Sequence, residues 1–235
     1  MIALPLADHV ALVTGASRGI GQATAIELAR LGAHVVLTAR TQGGLEETDD
    51  AIRTAGGSAT LLPLDLCDGT SLDAIGPSLF ERFGRLDVLV HAAAAPGKLT
   101  PVSHILDADW AEVLAVNLTA TQRLIRTAAP LLTAAPAGRA VFLTDSRARE
   151  PKAYWGGYGA TKAALEYLVR TWADELRSTR LRINLFDPGI VATKLRAAAM
   201  PGENPSLLPA PAAAAAAITA LCQSSELRHG ELLAG

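Results

Sequence analysis

A turn punctuated by three glycines, Thr14-Gly15-Ala16-Ser17-Arg18-Gly19-Ile20-Gly21, joins an apolar run, His9–Thr14, to a stretch with apolar residues at helical spacing, Gly19–Leu31. Few arrangements call for glycine at all three places. Gly15 permits a tight strand-to-helix turn, Gly19 lets backbone approach a pyrophosphate, and Gly21 lets the helix lie close against the sheet. The free N–H groups and partial positive charge where such a helix begins suit a phosphate. The feature predicts a β-α unit that cradles a dinucleotide, with Ser17, Arg18 and Ile20 completing the cradle.

The rest of the chain repeats that alternation. Strands are expected at Ala33–Ala39, Ser58–Leu64, Leu86–Val90, Arg139–Thr144, Leu181–Phe186 and around Glu231–Leu233. Helical patterns fall between them at Leu45–Thr54, Ser71–Phe83, about Asp109 to Leu132 with Pro130 interrupting or ending it, Tyr158–Arg177 and Pro211–Cys222. Pro188-Gly189 opens a loop that runs through Pro201, Gly202 and Pro205. This order predicts an α/β protein, a Rossmann-type doubly wound parallel sheet. No repeat, linker or charge block divides the 235 residues, so 1–235 reads as a single domain.

Composition narrows the partners. Half the chain is apolar but only 4% is aromatic, so Ala, Val, Leu and Ile must build the core. A net charge of −2 gives no reason to expect nucleic acid or an anionic membrane surface. No apolar run approaches the ~20 residues of a membrane span, and the N-terminus lacks a signal-peptide pattern. Cys67 and Cys222 lie far apart with no metal-ligand spacing. They read as reduced thiols, with a disulfide or redox site as the alternative, and no metal site is expected. A soluble, cytoplasmic protein is the expectation.

Tyr158 and Lys162 stand four apart on a predicted helix and therefore share a face. A phenol titrating near ~10 is a poor acid–base group at neutral pH, and a nearby ammonium lowers that value by stabilising the phenolate.

The glycine spacing Gly-x-x-x-Gly-x-Gly is followed in order by Asp65-Leu66, Leu86-Asp87, Asn117, Tyr158-Gly-Ala-Thr-Lys162 and Pro188-Gly189 with Thr193. Over nearly its whole length the chain thereby resembles the short-chain dehydrogenase/reductase family. The segment Ala153–Tyr158, Asp187-Pro-Gly and the loop Met200-Pro-Gly-Glu203 are similar to its YciK-like branch. The resemblance implies an NAD(P)-binding domain that reduces a ketone or aldehyde to an alcohol, or the reverse. It makes Tyr158 the proton donor and acceptor, and gives Lys162 a second task on the nicotinamide ribose. Asn117 would anchor a proton-relaying water; alone it reads as a locally bonded helix residue. Asp65 would hold the adenine amino group, or else serve as a helix N-terminal carboxylate. Leu66, Ala92, Pro188, Gly189 and Val191 would line the dinucleotide, and Thr193 would contact the nicotinamide amide. Homodimers or homotetramers built on the two long helices are also implied.

An acid at the end of the second strand would select NAD; here the residues are Ala39-Arg40. Arg40, with Arg18 nearby, favours the 2′-phosphate, so NADP(H) is the preferred cofactor and NAD(H) a possible one. Two departures from the family pattern stand out. The carbonyl-binding serine belongs thirteen residues before the tyrosine, where this chain has Asp145. Ionised, Asp145 is acceptor-only and raises the tyrosine's pKa. It could instead donate if protonated, be held charged by Arg147 or Arg149, or leave the task to Ser146. After His91, which reads as structural, Ala92-Ala93-Ala94 replaces Asn-Ala-Gly. These departures keep open a second reading, a dinucleotide-binding pseudoenzyme or sensor. Tyr154, Trp155 and the loop Ile190–Pro205 with Met200 are the expected substrate walls, suited to an apolar or aromatic small-molecule carbonyl compound.

Overall fold

The computed structural model describes residues 4–235. Seven strands pair in parallel: β1 (Val10–Thr14), β2 (His34–Ala39), β3 (Ser58–Pro63), β4 (Val88–His91), β5 (Arg139–Leu143), β6 (Arg182–Asp187) and β7 (Leu232–Ala234). Their spatial order is β3-β2-β1-β4-β5-β6-β7. Strand periodicity divides the core. Ala11, Val13, Val35, Leu37, Val88 and Val90 face one layer, and Val10, Leu12, Val36 and Leu89 the other. Because both faces are covered, the strands read as continuous apolar runs instead of alternating ones.

The first layer holds α1 (Gly19–Arg30), α2 (Gln42–Thr54) and α9 (Pro211–Leu221), which contribute Leu28, Ile52 and Ile218. The second holds α3 (Gly69–Asp73), α4 (Ile75–Phe83), α6 (Ala120–Ala134) and α7 (Gly156–Glu175), with Leu79, Leu124, Leu165 and Trp172. This is a single-domain, Rossmann-type α/β fold. Successive strands are added outward in opposite directions from the neighbouring strands β1 and β4, and a crevice opens there beyond the strands' C-terminal ends.

Several boundaries differ from the sequence pattern. The helix expected over Ser71–Phe83 starts earlier and breaks at Ala74 into α3 and α4, with Asp68 capping α3 through the Thr70 and Ser71 amides. The long helix is three pieces: α5 (Asp107–Leu114), a π turn (Ala115–Thr119) and α6, which carries Pro130 internally and runs on to Ala134. The loop after Pro188-Gly189 contains a short helix, α8 (Lys194–Ala199). Among the described residues no helix is long and apolar enough to cross a membrane. Nor does any group of three or more His, Cys, Asp or Glu side chains there suit a metal ion. Cys67 is exposed and Cys222 buried, both free.

Candidate active site

The crevice is a cleft of about 670 Å³. Gly15, Ser17, Arg18, Gly19, Ile20 and Gly21 line one wall, from the β1–α1 turn; Arg40, Asp65, Leu66 and Ala92 follow from the ends of β2, β3 and β4. Asp145, Ser146, Tyr158, Lys162, Pro188, Gly189, Val191 and Thr193 line the remainder. Of the residues singled out in the sequence for catalysis or cofactor binding, only Asn117 is absent from the wall.

The nucleotide turn is built around close backbone approach. Gly15 adopts φ +68, and a Cβ on it would come within 2.9 Å of the Ala93 N and Cα. A Cβ on Gly21 would overlap the Gly15 carbonyl oxygen, so that helix can begin here only with glycine. Beside the turn, the buried hydroxyl of Thr38 has no hydrogen-bond partner within the protein, although Thr38 lines the cleft. Asp65 does not cap a helix; its Oδ1 accepts from the Cys67 amide at 2.9 Å. A glycine cradle, an unspent hydroxyl and Arg18 and Arg40 along one cleft fit a phosphorylated dinucleotide.

At the other end, Tyr158 and Lys162 project from the first turns of α7, 5% and 2% exposed. Lys162 Nζ donates to the Leu143 carbonyl at 2.9 Å and lies 5.8 Å from the Tyr158 ring centre. Burial lowers the Lys162 ammonium to about 8, against the pull of Asp145, Glu166 and Asp187. The phenol is moved the other way from the expectation based on Lys162. Burial first, then the carboxylates of Asp145 and Asp187, hold Tyr158 above its ordinary value. The desolvation of a phenolate and two nearby negative charges outweigh the neighbouring ammonium.

Asp145 sits in extended backbone just after β5, and its Oδ1 accepts from the Arg147 amide at 2.8 Å. The Arg147 Nε lies 3.9 Å from Asp145, and its Nη2 donates to Ser146 Oγ at 2.9 Å. Ser146 thus spends a lone pair on Arg147 and keeps its own proton to give. Arg149 is not a partner of Asp145: its guanidinium pairs with Glu166 and with Asp187. Neither Glu166 nor Asp187 was expected from the sequence as a site residue, although Asp187 heads the Asp187-Pro-Gly pattern. Glu166 stands four residues beyond Lys162, a spacing that places it on the same helical face.

Asn117 lies in the π turn with its side chain fully engaged. Oδ1 accepts from the Ala95 amide at 2.8 Å, while Nδ2 donates to the Ala95 carbonyl at 2.9 Å and to Thr161 Oγ1 at 3.0 Å. Its bonds are long-range, not local. His91 is structural, as its position suggested: it bridges Thr14 Oγ1 at 2.8 Å and Thr121 Oγ1 at 3.0 Å. Burial, aided by Lys162, keeps it neutral by lowering it to about 3. Ala94, Leu99 and Met200 pack against a small cluster of Trp155, Tyr158 and Ala199. Trp155 meets the Tyr158 ring edge-on at 5.6 Å and lines the cleft. Tyr154 does not; at φ 75 and 57% exposed, it faces a small neighbouring hollow. Met200 does not line the cleft either.

The chain matches a family model for short chain dehydrogenase over residues 9–204. It is 36% identical to the oxidoreductase YciK of Escherichia coli K12 over 210 residues, 88% of this chain and 83% of that protein. A short chain dehydrogenase of Shigella flexneri 2a, solved as a complex with NADP, superposes with a TM-score of 0.94 at 33% identity, covering 99% of this chain and 98% of the other. One from Escherichia coli CFT073, complexed with NADPH, gives 0.94 and 33% over 100% and 99%. A likeness that spans both the nucleotide turn and the Tyr158 helix makes this chain a YciK-like member of the short-chain dehydrogenase/reductase family of oxidoreductases.

Proposed function

We propose that the protein is an NADP(H)-dependent reductase of a small ketone or aldehyde, with the alcohol oxidation as its reverse. The observation that carries this reading is a buried phenol and a buried ammonium on one wall of the cleft whose other end is the glycine cradle. Gly15, Ser17, Arg18, Gly19, Ile20, Gly21, Arg40, Asp65, Leu66, Ala92, Tyr158, Lys162, Pro188, Gly189, Val191 and Thr193 would hold the dinucleotide. When bound, a nicotinamide dinucleotide supplies the hydride. Arg40 and Arg18 favour the form with a 2′-phosphate, and the Shigella and E. coli relatives complexed with NADP and NADPH support the same preference. NAD(H) would serve less well.

The residues divide the remaining work. Tyr158, held protonated well past neutral pH, gives its proton to the carbonyl oxygen. Lys162 supplies positive charge beneath the ring. Ser146, polarised by Arg147, donates the hydrogen bond that the displaced serine would otherwise give. Asp145, acceptor-only, keeps the phenol in its acid form, which favours reduction over oxidation. Trp155 and Ala94 shape an apolar pocket beside the phenol, suited to an apolar or aromatic substrate. Asn117 acts on this wall by fixing Ala95 and Thr161 in place.

The test is turnover against binding. Tyr158→Phe should lower NADPH-driven reduction of a panel of aldehydes, ketones and quinones by ~100-fold or more, while NADPH binding, read by its fluorescence, changes less than about threefold. Wild-type protein that binds NADPH but reduces nothing, or turnover indifferent to Tyr158, would overturn it. The second reading, a dinucleotide-binding protein with little catalysis, is favoured by Asp145 beside the phenol.

A further inference from the structure

Arg149 closes the turn that follows β5, and its side chain runs inward to two buried carboxylates. It donates to Glu166 Oε1 on α7, and to Asp187 Oδ2 at the end of β6 at 2.5 Å. Each carboxylate is also pinned from its own side. Thr144 Oγ1 donates to Glu166 Oε1 at 2.7 Å, and the Gly189 amide donates to Asp187 Oδ1 at 3.0 Å. One cation therefore ties together the three segments that carry Ser146, the Tyr158–Lys162 pair and Pro188-Gly189.

We propose that Arg149 is a positioning residue that neutralises Glu166 and Asp187 behind the Tyr158–Lys162 pair and so sets the pH range over which the pair passes its proton. The inference rests on the reductase reading and adds a residue to it. The charges facing the pair come from every element packed around it. Asp145 comes from the turn after β5 with Arg147 beside it, Glu166 from α7 itself and Asp187 from β6, while Arg196 from α8, paired with Glu203, acts on Asp145. His91, from β4, is neutral. Counted together, Asp145, Glu166 and Asp187 are three carboxylates acting on one buried ammonium. All three favour Lys162 protonated, and Asp145 and Asp187 also oppose the phenolate. Arg149 contacts two of the three. Removing its charge leaves both unbalanced in a site of low effective dielectric, and the proton affinities of Lys162 and Tyr158 must both rise. A strap that only held three segments together would lower activity at every pH alike.

The experiment compares wild type with Arg149→Ala, Arg149→Lys and Arg149→Ala/Glu166→Gln/Asp187→Asn. In protein without dinucleotide, Lys162 is titrated by carbon-13 NMR of ε-labelled lysine, with Lys162→Met assigning its signal among the four lysines. Arg149→Ala should raise the Lys162 midpoint by about one pH unit. Arg149→Lys should return it most of the way, and the triple variant should return it to the wild-type value or below. In turnover, the same shift appears as alcohol oxidation at pH 7 lowered about tenfold by Arg149→Ala, with the carbonyl KM within about twofold. If Arg149→Ala does not fold, Arg149→Gln, which keeps donor groups but not the charge, takes its place: a midpoint raised by about one pH unit supports the role and an unshifted one overturns it. An unshifted midpoint in Arg149→Ala, or a raised one that persists in the triple variant, overturns it. Turnover indifferent to Tyr158→Phe would sink the reductase reading instead, while the lysine titration would still report on Arg149.

Discussion

An ionised carboxylate offers a carbonyl oxygen nothing but repulsion, and at position 145 it also has one oxygen occupied by the Arg147 amide. The hydroxyl next to it, on Ser146, is the group with a proton to give. Ser146→Ala should therefore lower kcat for carbonyl reduction by about 100-fold, in line with loss of one preorganised donor to a developing oxyanion, with little change in NADPH binding. Asp145→Asn removes a negative charge from beside the phenol, so the pH above which reduction declines should move down, measured as the alkaline limb of kcat/KM. Arg40→Ala should weaken NADPH binding by at least ~10-fold and NADH binding by less than about twofold, checked by titration calorimetry with each. The meeting of Tyr158 and Lys162 was legible because four residues on a helix put two side chains together. The direction of the tyrosine's shift was left open, Lys162 against Asp145; burial, first among its causes, and Asp187, distant in sequence, join Asp145 to decide it. Arg149's partners were hidden for the same reason.

Local pattern reveals an element when periodicity extends over its length, and it fails where a tertiary contact overrides the pattern. The strands of this protein were visible as apolar runs, since both faces are covered. The π turn was not visible: one helix-like pattern runs through it, and what holds it open is Asn117 reaching to Ala95 and Thr161. Extra residues of this kind within helices commonly sit beside functional sites. Asn117→Ala would strand the Ala95 amide and carbonyl, and should lower unfolding free energy by about 2–3 kcal/mol in urea titrations. Pro130 was misleading in the opposite sense, since α6 continues past it to Ala134. On α7 the face away from the sheet carries Ala160, Ala163 and the 79% exposed Tyr167. If copies associate through this helix, as the family resemblance implies, Tyr167→Glu should shift the mass seen by light scattering from dimer or tetramer to monomer.

Across the whole molecule, stability should depend on pH through His91. Its imidazole takes up a proton near the ordinary histidine value when the chain is unfolded, but only at about 3 when folded. Between those values the unfolded chain holds the extra proton, so stability falls as pH falls. From pH 7 to pH 5 the loss from this group is about 2 kcal/mol, and His91→Gln should flatten that slope in urea midpoints measured across the range. The parallel architecture itself was readable from the alternation of runs; the neighbour relation of β1 and β4 follows from the family pattern and from no single residue. That relation has a consequence for biosynthesis. The first half-sheet to leave the ribosome, β3-β2-β1, ends in a bare edge at Val10–Thr14, and it stays bare until Val88–His91 emerges to cover it. Nascent chains stalled in that interval present an apolar strand with unpaired amides, the form most open to sticking to one another or to being captured by a chaperone.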